Sequence, residues 1–290
     1  MALAGVILLG AGSPALWTTP AAVDLGAAAH FAVLAGSGIS DTGPSVISGD
    51  VGTHPVAAIS GRLDKEASGS VDRAGAKSQQ AQRDLANAFA SVAVLPRDGT
   101  VSLADVRSLP PGVYDVADTK QGFAANLTLD GQNAPNPVWI FVVAKNLVTA
   151  PGSTITLVNG AQACNVFWRV GGSATLGSES TFAGSILAMT SVSVGSHVTI
   201  AGRLLARTGA VSLSGDRITA PACTLSIANS APQPAAVAAL PPTSRTTDAA
   251  AGSQPALPGY LPIVILVLLA AAILLGEPRQ RHRRAASGGW

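Results

Sequence analysis

Apolar and small polar residues alternate along this chain in short runs that end at glycine, and one run is written twice. "GSESTFAGSILA" (177–188) and "GSHVTIAGRLLA" (195–206) are offset by 18 residues and agree at most positions, Thr181/Thr199 and Gly184/Gly202 among them. "SVISGDVG" (45–52) lines up with 198–205, and "GSTITL" (152–157) with 179–184, 27 residues on, the surplus being a loop-like "NGAQACNVFW". "VSLSGDRIT" (211–219) resembles "VSVGSHVTI" (192–200) at an offset of 19. Repeats near twenty residues that alternate apolar with small polar side chains predict a β-solenoid, in which equivalent positions stack coil upon coil. Val, Ile, Leu and Phe should point inward, Ser and Thr outward. A flat sandwich would not require coils of constant length.

One segment departs from that period. "SVDRAGAKSQQAQRDLANAFASVA" (70–93) places Ala74, Ala81, Leu85, Ala88, Phe89 and Val92 on one face at helical spacing. This predicts an amphipathic helix whose narrow, mostly alanine stripe suits close packing on a sheet. "LPPGVYDV" (109–116) and "VWIFVVAKNLVTA" (138–150) return to strand, while Thr128 lies outside the aligned coils.

The two ends have a different character. Residues 1–22 hold a short apolar run followed by small residues, the later part of a secretory signal without its basic start. Residues 257–276 carry no charge, and twenty such residues at 1.5 Å each span roughly the 30 Å hydrocarbon core. Arg279, Arg281, Arg283 and Arg284 follow, so residues 277–290 read as a cytoplasmic tail and everything before 257 as external. Between them, 227–256 is an Ala/Pro/Ser/Thr stalk without hydrophobic period. Its "LPPTS" (240–244) differs by one residue from a cell-wall sorting signal but sits far from the apolar span, as a chance match in a Pro-rich stalk would. The expected arrangement is a membrane-anchored surface protein with an external β-domain over 23–226.

Composition narrows the function. Charged residues are 12% of the chain and the formal net charge is +2, with four of the fourteen arginines in the last dozen residues. No basic patch remains for nucleic acid. His30, His54, His197 and His282 are scattered without metal-ligand spacing. An enzyme on a β-solenoid needs clustered carboxylates; Asp115 and Asp118 form the closest pair in the strand region, and nothing pairs them with a base. The reading is of a binding surface without catalytic residues, cofactor or metal. Cys164 and Cys223 are the only cysteines, compatible with one disulfide in an exported chain or with two buried thiols.

Taken together, "LGAAAHFAVLAGSGISDTGPSVISGDVG", the Ala/Gln helix, "LPPGVYDV", "WIFVVAKNLVTAPGSTITLVNGAQACNVFWRVGGSATLGSESTFAGSILA" and "GRLLARTGAVSL" resemble the ice-binding proteins of bacteria, fungi and algae, in family order across nearly all of 25–218. The resemblance implies a right-handed triangular β-solenoid, mainly β, with the helix packed alongside and N-terminal coils beside C-terminal ones. It also implies a Cys164–Cys223 disulfide between neighbouring coils, and a monomer whose partner is the ice crystal surface. Some members carry Thr, Ala or Gly, any residue, then Thr or Asn on the ice face. The counterparts here begin at Thr42, Pro151, Ser178, Ser196 and Ser214. They give Thr42, Ser45, Ser153, Thr154, Ser178, Ser180, Thr181, Ser196, Thr199 and Ser214 as candidate ice-contacting residues. Glu179, His197, Asp216 and Arg217 stand where small residues would be expected, and a charge would disturb an ice-like water layer. A surface adhesin that uses the same scaffold for glycan or protein is the alternative, although sugar sites usually expose aromatic rings and those are 4% of this chain.

Overall fold

The computed structural model describes residues 20–61, 63, 68–117 and 126–223. The first nineteen residues of the expected leader, and the stalk, apolar span and tail over 227–290, lie outside them. Among the described residues no helix is long and apolar enough to cross a membrane.

Mainly β structure with one α-helix is what the described residues form, in three sheets whose strand pairings are parallel throughout. The first sheet runs Val71–Arg73, Asp50–Thr53, Phe31–Ala35, Thr199–Ala206, Thr181–Ala188, Val166–Val170, Trp139–Val143, Gly112–Val116, Gly99–Val101. A second runs Leu147–Val148, Ala174–Leu176, Val192–Val194, Ala210–Leu213, Gly38–Asp41, Ile59–Ser60. The third runs Ser108–Leu109, Leu127–Asp130, Ile155–Val158 and passes through a Thr154–Thr181 bridge to the early halves of Thr181–Ala188 and Thr199–Ala206. Arg217–Thr219 and Val46–Ser48 continue it. First and last coils are therefore neighbours, as Val33↔Leu204 and Val211↔Ile39 show.

The repeated run sits in the middle of this stack. All eight positions from Thr181↔Thr199 to Ala188↔Ala206 pair in register, and the strand turns from the third sheet into the first at Gly184 and Gly202. Gly184 has φ +111°, and a Cβ on Gly202 would lie 1.9 Å from the Gly184 carbonyl oxygen. Only glycine fits both places, which is why the repeat keeps its "AG" pair. The 19-residue match needs amendment: Val192↔Val211 holds that offset, but Ile200↔Ile218 is offset by 18, so one residue is dropped at the corner. "VFW" (166–168) is not loop either. Val166–Val170 is a strand aligned on Trp139–Val143, and only 159–165 forms the turn. Thr128, outside the aligned runs of the sequence, pairs with Thr156 and Ser108 within the third sheet.

Inside, equivalent apolar residues stack. Trp168 lies 4.0 Å from Phe141 between ring centroids and 5.3 Å from Phe182, its indole N–H donating to the Ala183 carbonyl at 3.0 Å. Such pairs favour a rigid interior beyond simple burial. The helix, Ala76–Ala93, begins six residues later than expected, because Val71–Arg73 extends the first sheet. Its buried face is Ser78, Ala81, Leu85, Ala88, Phe89 and Val92. Ala74 is not on it but sits before the helix at φ 55°. Gly75 offers no capping side chain, so Asp72 accepts the Ser78 N–H at 2.7 Å. At the other end Arg169 donates to the Phe89 carbonyl at 2.9 Å and lies over its ring, a favourable place for a cation. The stripe covers Phe31, Leu34, Ile140, Phe167, Leu187 and Leu205 on the outer side of the first sheet.

Cys164 and Cys223 are joined across 59 residues of sequence, tying the turn before Val166 to the segment after the last coil. Closing a loop of that length restricts the unfolded chain. The double substitution Cys164→Ser/Cys223→Ser should lower unfolding free energy by about 2–4 kcal/mol in urea titration. A change within about 0.5 kcal/mol would mean that the cross-link contributes no constraint.

Candidate functional site

Where the chain turns from the second sheet into the third, four columns of equivalent residues run side by side, and the candidates fall into three of them. Ser178, Ser196, Ser214 and Thr42 form the corner column. Ser196 and Ser214 hydroxyls lie 3.3 Å apart, Ser178 Oγ accepts the Ser196 N–H at 3.1 Å, and Thr42 Oγ1 donates to the Leu213 carbonyl at 3.3 Å. The three serines are partly exposed and Thr42 is exposed, but the hydroxyls are engaged along the edge.

Next come Gly152, Glu179, His197 and Gly215, at φ 69°, 61°, 59° and 69°. This left-handed corner costs nothing for glycine and strains the two residues that replace it. Glu179 and His197 are exposed there, on the rim of the face.

The third column corrects part of the sequence reading. Ser45, Ser153 and Ser180 are 0%, 4% and 2% exposed, and so cannot present hydroxyls outward. They share a column with Val198 and Asp216, both buried, and point under the corner. Ser180 Oγ donates to the Gly177 carbonyl at 2.6 Å, and Ser153 Oγ to Ser180 Oγ at 3.2 Å. Ser45 Oγ donates to Asp41 Oδ1 at 2.8 Å and accepts the Asp216 N–H at 3.0 Å. The signal was present in sequence: Ser45 aligns with Val198, and an apolar partner marks an inward position. Asp216 is likewise no surface charge. Its carboxyl accepts N–H bonds from Val198 and Ser214, both at 2.8 Å, and its N–H crosses to Ser45 on the first coil.

The fourth column is the open one. Thr154, Thr181 and Thr199 pair directly on the outer side of the third sheet, Thr181 and Thr199 exposed and Thr154 partly so. Among the described residues their hydroxyls have no protein partner. Two residues further along each strand come Thr156, Ala183, Ala201 and Thr219, with Thr128 and Ser108 beyond, a row that sequence comparison did not assemble. Ala183 is buried, and the turn Ala163–Asn165 packs against its strand. Arg217 stands beside Thr199 in the threonine row, exposed, with Val46 after it. The second sheet also presents small hydroxyls, Thr175, Ser193, Ser212, Ser40 and Ser60, but Ser40 bonds Ser212 at 3.3 Å and Ser60 bonds the Ile39 carbonyl at 3.4 Å.

The profile of a family described as ice-binding-like matches residues 33–219, all three sheets and the helix included. The chain belongs to that family. An ice-binding protein of Flavobacterium frigoris is 38% identical over 69% of this chain and 76% of its own length. One from Nostoc is 37% identical over 59% of this chain, and only 63% of its own length is covered. The crystal structure of an ice-binding protein from the Antarctic ascomycete Antarctomyces psychrotrophicus superposes with a TM-score of 0.66 at 36% identity, over 70% of this chain and 100% of that one. Within this ice-binding-like domain the described residues hold no group of three or more metal-ligating side chains. Asp115 is paired with Arg97 at 2.9 Å, and Asp118 lies outside the described residues.

Burial pushes the Asp216 carboxyl above its ordinary 3.8. The Ser214 and Val198 N–H donors oppose this, the Asp41 carboxylate adds to it, and His197 opposes it. A raised folded-state value means that the stability contributed by protonated Asp216 is fully present below the unfolded value and lost as pH rises through the folded one. The cost of Asp216→Asn should therefore be larger near pH 3.5 than near pH 7, compared by urea unfolding of parent and variant. A cost that grows with pH would mean that the ionised form is the favoured partner of the two N–H groups.

Proposed function

We propose that this chain adsorbs to ice through the outer face of the third sheet. The observation that carries this is the in-register row Thr154–Thr181–Thr199, whose hydroxyls have no partner among the described residues. Parallel strands repeat at about 4.7–4.9 Å, and side chains on one face of a strand at about 6.6–6.8 Å. A threonine grid at these spacings can hold water in an ice-like layer, the methyl caging it and the hydroxyl anchoring it. The stacked interior keeps the grid fixed before contact, so little conformational entropy is lost on adsorption. Ser178, Ser196, Ser214 and Thr42 border the row; Thr156, Ala201 and Thr219 widen it. The relatives named above are ice-binding proteins, and the matched residues include every member of this face.

Thr181→Tyr and Thr199→Tyr should each abolish most inhibition of ice recrystallisation while leaving the circular dichroism spectrum unchanged, since outward residues displace no packing. Thr175→Tyr on the second sheet should leave inhibition intact. Loss in the Thr175 variant alone would move the adsorbing face to the second sheet.

We further propose that the domain works at the outside of a cell, held by residues 257–276 as a membrane span with the arginine-rich tail inside. Such an anchor would let the protein shape ice at the cell boundary or attach the cell to it. Protease added to intact cells should remove the β-domain. Protection until lysis would reverse the topology.

A further inference from the structure

On the reading that the third sheet is the adsorbing face, we infer that Arg217 sets the edge of the ice-contacting lattice and limits how strongly the protein binds. The backbone lattice does not stop there. Thr199↔Arg217 and Ala201↔Thr219 pair in register, and the Arg217 N–H donates to the Val198 carbonyl at 2.9 Å, as Thr199 does to Ser180 one coil before. The neighbours around Arg217 also keep the pattern, with Thr219 two residues on and Ser214 in the corner column. Only the side chain at 217 breaks it.

A guanidinium on a flexible stem stands above a threonine plane and carries a charge that orders water about itself. Both properties oppose a water layer commensurate with ice, and flattening the side chain on contact would cost rotamer entropy. Among the described residues the Arg217 side chain has no hydrogen-bond or ion-pair partner, so the fold does not depend on it. Threonine at 217 would lengthen the row from three residues to four without moving the backbone. Val46, 44% exposed beyond it, would then end the row with a methyl-bearing but hydroxyl-free side chain.

The test compares the purified full-length chain with Arg217→Thr, Arg217→Gln and Arg217→Lys, measuring thermal hysteresis and ice-recrystallisation inhibition at equal molar concentration. Arg217→Thr should raise activity about twofold or more, and Arg217→Lys should match the parent. A gain in Arg217→Gln as well assigns the limit to charge; a gain in threonine alone assigns it to size; both support the edge. If Arg217→Thr loses its β-type circular dichroism, Arg217→Ser takes its place. Activity in the threonine variant equal to or below the parent, with Thr181→Tyr inactive, would overturn this inference and leave the adsorbing face standing. Full activity in Thr181→Tyr would overturn the face itself, and an inactive parent would overturn ice adsorption by this chain altogether.

Discussion

Parallel, in-register stacking of one coil on the next is the constraint from which the other features of this domain follow. Once Thr181–Ala188 lies on Thr199–Ala206 with no slip, each position becomes a column, and each column needs one kind of side chain. An inward column favours apolar residues or polar atoms satisfied internally, since an unpaired buried hydroxyl is costly, and Thr53 Oγ1 is the exception among the described residues. An outward column is free. Glycine is fixed where a Cβ would strike the neighbouring carbonyl, as at Gly202. The low charge follows as well: like charges stacked a few ångströms apart in one column repel, so columns favour small neutral residues.

That logic explains how much of the molecule was legible in the sequence. The stacked order could be read because a column constraint writes itself as a repeat; the 18-residue pair and the Ser45–Val198 alignment both match the registers found. The helix was legible through its stripe, Ala81, Leu85, Ala88, Phe89 and Val92. Its start was not, because "SVDRAG" satisfies a short strand beside Asp50–Thr53 as well as a helical turn, and the open sheet edge decides. The site was half legible. Threonine and serine look alike in a repeat whether they face water or a corner, so Ser45, Ser153 and Ser180 were placed beside Thr154, Thr181 and Thr199. Only the column tells them apart. Thr156 and Thr128 were missed for a different reason. Their coils are separated by 28 residues, and a longer turn hides the shared register.

The corner between the second and third sheets shows what the stack demands of its ends. Three coils fill the inward column there with Ser153, Ser180 and Val198, which need little from their neighbours. The fourth and fifth are brought together from opposite ends of the sequence, and there the column holds Asp216 and Ser45, joined to Asp41. A seam between distant segments has no chain continuity to keep it in register. The Asp216 N–H, donated to the Ser45 hydroxyl, and the Val46 N–H, donated to the Asp216 carbonyl, cross the seam, and a slip of one residue would leave them unmade. The buried polar cluster is thus expected at the seam and not in the middle of the stack, which is where it lies. The threonine row stops at Thr199, one coil short of this seam, which Arg217 and Val46 flank on the outer face and residues 171 apart in the chain join beneath. Beneath that end of the row the Asp216 carboxyl holds the Val198 N–H at 2.8 Å, which fixes the coil that carries Thr199 against the last one.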